Sequence, residues 1–373
     1  MLERRDPLRG LLGVVLGALL VALTGWFLVI GKAVVLPIII AVISVYVLTA
    51  ASHALARLPG GAALPEWLRR VVVLMAFLVA VITLAAVMTS TADQVRVRLP
   101  EYQRTVAALL TRVFDSVGAD RPDWQALWDR LVARISFARL AGTVLASISA
   151  AAGMVFMVVV YAIFLMAERD AFGHKIAVAL PAEHRDRAAA IIRATNTAIR
   201  DYLAIKTLVN AILATISFVV MWAFGVDFAL FWAILIGLLN YIPYVGSMLG
   251  VAFPVVLSMA QFGALSTTLG IAALLTAAQV WVGNALEPRL IGRTVNMSPF
   301  VVMVALALWS SLWGIAGAIL AIPLTSIIAI IMANFRATRP FAVLLAKDVS
   351  VFEDSPPAAP PGPHRLDARS RAD

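Results

Sequence analysis

Long apolar runs follow one another along the chain, separated by short charged gaps. Stretches free of Asp, Glu, Lys and Arg lie at about Gly10–Gly31, Ala33–Ser52, Val71–Ala92, Ala141–Ala167 and Thr207–Val226. Each reaches the ~20 residues that a helix needs to cross the hydrocarbon with its backbone bonds satisfied internally. Beyond them the pattern changes. No charged residue occurs from Phe228 to Leu286, nor from Thr294 to Phe335, yet Pro, Gly and polar residues break both stretches. The pattern predicts an all-α, polytopic transmembrane protein of about six to eight spans. Re-entrant or broken helices are expected in its C-terminal half.

The gaps carry elements of their own. Val106, Leu109, Leu110, Val113, Phe114 and Val117 recur at helical spacing. Trp124, Leu127, Trp128, Leu131, Val132 and Ile135 do so again after the break Arg121-Pro122-Asp123. This segment reads as amphipathic helix outside the membrane, lying on it or packing between subunits, or capping a solute path. From Pro181 a helix is expected to run into the fifth span. The tail after Ser350 holds five prolines among polar residues and reads as disordered. The resulting division is three spans in 1–92, an extracytoplasmic segment in 93–140 and a fourth span with a cytoplasmic helix in 141–206. A core of broken helices in 207–335 and a cytoplasmic tail in 336–373 complete it.

The first broken stretch holds two short runs, Phe228–Leu239 and Ser247–Gln261, around Asn240-Tyr241-Ile242-Pro243-Tyr244-Val245-Gly246. Pro243 removes a donor and disfavours helix at Ile242. Gly246 admits conformations closed to other residues. Neither run spans comfortably, so a hairpin is plausible, its irregular tip buried in protein or lining a cavity. Thr294–Asn334, with Gly314, Gly317 and Pro323, looks like a second case. Either there are eight spans, or six spans and two hairpins. In the latter, Gly263–Asn334 repeats the plan of Thr207–Phe262 upside down, as in many transporters.

Composition sharpens the class. The chain is 62% hydrophobic and 14% charged, against about 25% charged in soluble domains. The net charge of +9 sits in the gaps, where basic residues meet lipid headgroups and set orientation. Arg4, Arg5 and Arg9 before the first run, and Arg57, Arg69 and Arg70 after the second, place the N-terminus in the cytoplasm. The eight arginines of Asp93–Arg139 disagree, but six acids offset them. No basic run carries interleaved aromatics, so nucleic acid is not an expected partner. With no cysteine and four scattered histidines, no metal or cofactor is expected. No HExxH, GxSxG or clustered acid pair suggests an enzyme. The first run is too long for a signal h-region and reads as a retained helix.

Leu238-Leu239-Asn240-Tyr241-Ile242-Pro243-Tyr244-Val245-Gly246 resembles a signature of the autoinducer-2 exporter (AI-2E) family. Asn284-Ala285-Leu286-Glu287-Pro288-Arg289-Leu290-Ile291-Gly292, Ser298-Pro299-Phe300, Gly314-Ile315-Ala316-Gly317 and Ile322-Pro323-Leu324 add to it, in the family's order. The resemblance implies a multi-pass protein of the bacterial inner membrane. It implies export of autoinducer-2 or similar small polar molecules, although some members are described as sodium/proton antiporters. It further implies a homo-oligomer, a pentamer by family analogy, and an elevator-like or hinge-driven movement.

For a small polar solute, Asn240, Tyr241, Tyr244 and Ser247 offer donors and acceptors beside a helix break. The tyrosines could equally anchor at a headgroup interface. Gln279 and Asn284 line the pathway or hold helices together. Glu287 and Arg289 pair across Pro288, form a gate or couple an ion, or are solvated loop charges. Asp227 reads as a turn residue. Pro243, Gly246, Pro254, Pro288, Pro299, Gly317 and Pro323 are candidate hinges or static kinks. Thr325 and Ser326 could bond their own backbone. Three functions compete: an exporter of a small polar solute by alternating access, a monovalent cation/proton antiporter, and a passive channel or membrane scaffold. The absence of charge between Asp227 and Glu287 weighs against ion coupling there.

Overall fold

The computed structural model describes residues 7–57, 59, 61–117, 153–168, 171, 175, 178–179, 181–291 and 296–353. Residues 118–152, which hold the predicted helix at Trp124–Ile135 and the start of the fourth apolar run, lie outside this set, as does the tail after 353. The described residues contain helices and no strand. Six of the helices are long and apolar enough to cross a membrane.

Helix α1 (Pro7–Ile30) turns at Gly31 into α2 (Lys32–Ala56), with the Gly31 amide donating to Phe27 O at 2.7 Å. The exposed side chains of α1 include Leu16, Leu19, Leu20, Val21 and Trp26. Lipid, which carries no penalty for apolar contact, is the solvent such a surface requires. Helix α3 (Glu66–Val117) has 52 residues. It crosses the 92/93 boundary without a break, so the third span and the first half of the amphipathic segment are one rod. At 1.5 Å per residue that rod is ~78 Å long, far more than a ~30 Å hydrocarbon layer. Helix α4 (Gly153–Glu168) follows. Helix α5 (Ala182–Ala223) begins at Pro181 and runs unbroken through the fifth apolar run, as its pattern predicts.

Helices α6 (Ala229–Leu239) and α7 (Val245–Phe262) pack together as a hairpin. Its two ends lie side by side. Gln261 Nε2 donates to Gly225 O at 2.8 Å, and the Asp227 amide donates to Gln261 Oε1 at 2.8 Å. The chain therefore enters and leaves on the same side. Helix α6 rises only ~17 Å, too little to cross. At the turn, a Cβ on Gly246 would sit 1.7 Å from Leu239 O. Only glycine lets the two arms meet so closely.

Helix α8 (Leu265–Trp281) continues through a π turn (Val282–Leu286) into α9 (Glu287–Ile291). Helix α10 (Pro299–Ala333) starts behind a Ser298 cap and breaks at Gly314, φ 63° and ψ −140°. Trp309 Nε1 donates to Thr325 Oγ1 at 3.0 Å across 16 residues. In a straight helix those residues would stand ~24 Å apart, so α10 is folded back on itself. Gly317 makes the approach possible, since a Cβ there would lie 1.9 Å from Trp309 O. Helices α11 (Arg339–Leu345) and α12 (Ser350–Glu353) end the described chain.

The two hairpins point in opposite directions. The root of the first is bonded to the end of α5 at Gly225. The root of the second meets the other end, where Arg187 donates to Asn334 O and lies 5.3 Å over the Phe335 ring. Those ends are ~54 Å apart along α5. Inside, the hairpins touch: Ile242 at the first tip is buried among Ala305, Trp309, Trp313 and Ala321 of α10. Straight helices plus two opposed hairpins replace the alternative of eight full crossings.

Candidate functional site

Helix α5 carries Lys206, Thr207 and Asn210 within one turn, at spacings that put 206 and 207 beside 210. Thr207 and Asn210 meet the tip of the first hairpin, and Lys206 meets α9. Asn240 Nδ2 donates to Asn210 Oδ1 at 2.8 Å, and Gln279 Nε2 donates to Asn240 Oδ1 at 2.8 Å. Three amides, from α5, the first hairpin tip and α8, thus form one chain, with Asn210 and Asn240 buried. Its ends are open. Gln279 Oε1 is buried with no hydrogen-bond partner, and Asn210 Nδ2, which makes no close hydrogen bond, lies beside the Tyr241 oxygen. An unmet buried polar atom costs about 1–3 kcal/mol unless water or another polar group meets it.

Beside the chain, Thr207 donates its proton to Leu203 O at 2.7 Å and meets Tyr241 OH at 2.7 Å. Tyr241 is therefore the donor in that contact, and its oxygen keeps a lone pair. One turn along α5, Lys206 Nζ lies 2.7 Å from Glu287 Oε1. The pair is sheltered, with 7% of the lysine side chain and 24% of the glutamate exposed.

The π turn makes this pairing possible. Gln279 and Glu287, eight positions apart, would diverge by about 80° on an uninterrupted α-helix. One extra residue in the turn removes about 100° of rotation and returns them to nearly one face. Gln279 then reaches Asn240 while Glu287 reaches Lys206.

The structure brings Asn240, Tyr241, Gln279 and Glu287 together. It does not bring in the other polar candidates. Tyr244 is exposed in a positive-φ turn, and its carbonyl accepts the Ser247 hydroxyl at 2.8 Å, so Ser247 is engaged locally. Asn284 is exposed on the π turn. Arg289 is exposed and makes no ion pair among the described residues. Of the alternatives for Glu287 and Arg289, the pair across Pro288 is not formed; Glu287 pairs with Lys206, because the π turn aims the carboxylate at α5. Thr325 does not bond its own backbone but accepts from Trp309, and Ser326 Oγ is buried without a partner.

Among the proline and glycine candidates, Pro243 and Gly246 form the first tip and Gly317 the second. Pro299 opens α10 and Pro288 opens α9. Pro254 and Pro323 lie buried inside helices that continue through them.

Lys206, Thr207 and Asn210 belong to this polar cluster, and the sequence pattern does not single them out. Lys206 reads as the last residue of a charged gap and Thr207 as the first of a span. The available signal is a lysine and an asparagine four apart on a helix that is otherwise apolar beyond them.

A second polar cluster lies at the root of the first hairpin. Tyr102 OH donates to Asp227 Oδ2 at 2.8 Å, and Arg98 Nη1 is 3.5 Å from the same oxygen. Asp227 is thus an anchor between α3 and the α5–α6 turn. Burial raises the Tyr102 phenol above its ordinary value, reinforced by the hydrogen bond to Asp227 and by its charge.

Residues 16–337 match the AI-2E family of transporters. The AI-2 transport protein TqsA of Escherichia coli (strain K12) is 30% identical over 275 residues, 72% of this chain and 77% of TqsA. A Haemophilus influenzae protein, provisionally named a transport protein, is 28% identical over 302 residues, 78% of this chain and 84% of its own. A similarly named Borreliella burgdorferi protein is 35% identical over 183 residues, which span 49% of this chain and about half, 51%, of that one. The matched segment takes in the apolar runs from residue 16 onward, both hairpins and every residue of the amide chain. The protein belongs to the AI-2E transporter family, and it is a membrane transport protein.

Proposed function

We propose that this protein is a secondary transporter exporting a small, uncharged polar solute, autoinducer-2 or a molecule like it, by alternating access. The solute is held by Asn210, Asn240, Tyr241 and Gln279, between two hairpins that enter from opposite sides. The observation that carries this reading is the amide chain with one open donor and one open acceptor, buried at a helix break. Such a site rewards a molecule with hydroxyl or carbonyl groups and no net charge. The name of TqsA supports the choice of autoinducer-2 as first solute to test. In keeping with the basic residues of the short gaps, the inner bacterial membrane is the proposed location, with both termini in the cytoplasm. A homo-oligomer, with a pentamer as the working number, completes the proposal.

The pairing of Glu287 with Lys206 bears on the antiporter alternative. A carboxylate already neutralised by a buried ammonium is a poor cation site.

The test is transport by the purified protein in liposomes, with labelled autoinducer-2 and a panel of small polar solutes, under imposed proton and sodium gradients. Saturable solute flux that falls at least about tenfold in Asn240→Ala is the expected result. Non-saturating flux indicates a channel, and no flux indicates a scaffold. Sodium-dependent proton movement lost in Glu287→Gln, with solute flux intact, indicates an antiporter.

A further inference from the structure

Two unequal barriers flank the amide chain. Toward the Ala223 end of α5 lies a packed apolar plug formed by Leu213, Met221, Ile271 and Leu275, all buried to within 1%. The plug fills much of the ~20 Å that α5 rises between Asn210 and Ala223. Toward the Arg187 end, Lys206 and Glu287 meet one turn from Asn210. Opening the plug means exposing tightly packed side chains to water and losing their contacts. Opening the ion pair is different in kind. Each charge recovers hydration as it separates, and the desolvation cost of the closed pair offsets most of its attraction. A buried ion pair therefore separates at small net cost, whereas a buried apolar plug does not.

We propose that Lys206 and Glu287 form the thin gate of the solute pathway on the Arg187 side. On this reading the structure is a state closed there by one ion pair and on the opposite side by the packed core. The inference rests on the solute site above and assigns a role to Lys206, which that site does not use. The register of α8 supports it, since the π turn that seats Gln279 on Asn240 also swings Glu287 across the path. When the pair separates, the open donor and acceptor of the amide chain face the water on that side.

The cysteine-free sequence allows a direct test on the full chain in sealed vesicles of either orientation. Thr207→Cys places a thiol beside the gate, and Arg336→Cys, exposed near the Arg187 end, marks the side. The measurement is the rate of reaction with a charged, membrane-impermeant thiol reagent. Slow reaction from both sides is expected with the gate intact. Glu287→Gln or Lys206→Met should raise the rate at least about tenfold from the Arg336 side only, and the exchanged pair Lys206→Glu with Glu287→Lys should restore protection. Lys206→Arg, which keeps the charge, should also stay protected. A rate unchanged by Glu287→Gln, a rise from both sides, or an exchanged pair that stays open overturns the gate. Labelling needs no solute. A gate that responds in a protein that moves no solute therefore leaves this inference standing and removes the site reading, and the reverse pattern does the opposite.

Discussion

At the scale of single residues, two kinds of constraint govern the site. Gly246 is steric. A Cβ at this position would lie only 1.7 Å from Leu239 O, so Gly246→Ala forces the hairpin arms apart and should cost upwards of about 3 kcal/mol. A large fall in the thermal unfolding midpoint in detergent checks this, and a fall no larger than that of Gly283→Ala, which meets no neighbour, refutes it. Lys206 is electrostatic. Lys206→Met leaves the Glu287 carboxylate, 24% exposed in the closed state, without its counter-charge, and should cost about 1–3 kcal/mol, limited by the hydration the carboxylate regains. The double change Lys206→Met with Glu287→Leu should recover most of that loss, since it removes both charges. A double variant no more stable than the single one argues against the pair as the source. Glycine and proline announce the tips in the sequence because few other residues tolerate such backbone. Lys206 announces nothing, because a lysine at the edge of an apolar run most often reaches for headgroups.

At the scale of elements, long-range bonds hold the hairpins in shape. Trp309→Phe keeps an aromatic ring and loses the donor to Thr325. It should cost about 1–2 kcal/mol without lowering helix content, measured by circular dichroism alongside unfolding. Equal stability would mean that packing alone folds α10 back. At the first root, Tyr102→Phe removes a bond to a carboxylate and should cost about 1–2 kcal/mol, discounted for the partial exposure of its partners. The pH sign follows from the raised phenol. Its stabilising contribution is full below the ordinary tyrosine value of about 10 and is lost as pH rises through the higher folded value. Wild type and Tyr102→Phe should therefore differ by a constant amount across the neutral range and converge only in strong alkali.

These elements are unequally visible in the sequence. The straight helices follow from apolar runs of about 20 residues because a single such run satisfies its own backbone groups in lipid as a helix. The hairpins follow from their breaks. The α3 rod does not, because hydropathy changes at 92/93 although the helix continues. Tyr102 and Asp227 stand 125 residues apart, and no local pattern links them. The π turn is equally silent, since no residue type specifies it.

At the scale of the molecule, α5 is the common support. It bonds the root and tip of the first hairpin and the root of the second. The opposed geometry predicts sidedness. A cysteine at Leu290, exposed after the π turn, should react from the same side as one at Arg336, and one at Glu101 from the other. Leu290 and Glu101 reacting from a common side would restore the eight-span arrangement.

The π turn also behaves as a phase adjuster. Inserting one alanine after Gly283 should add about 100° of ordinary helix and turn all that follows by that amount. Gln279 would keep its amide neighbour, but the carboxylate at the far end would point away from its ammonium. One added residue would thus separate the amide contact from the ion pair behind it, whereas deleting Gly283 should leave both in phase, without altering a single side chain in either.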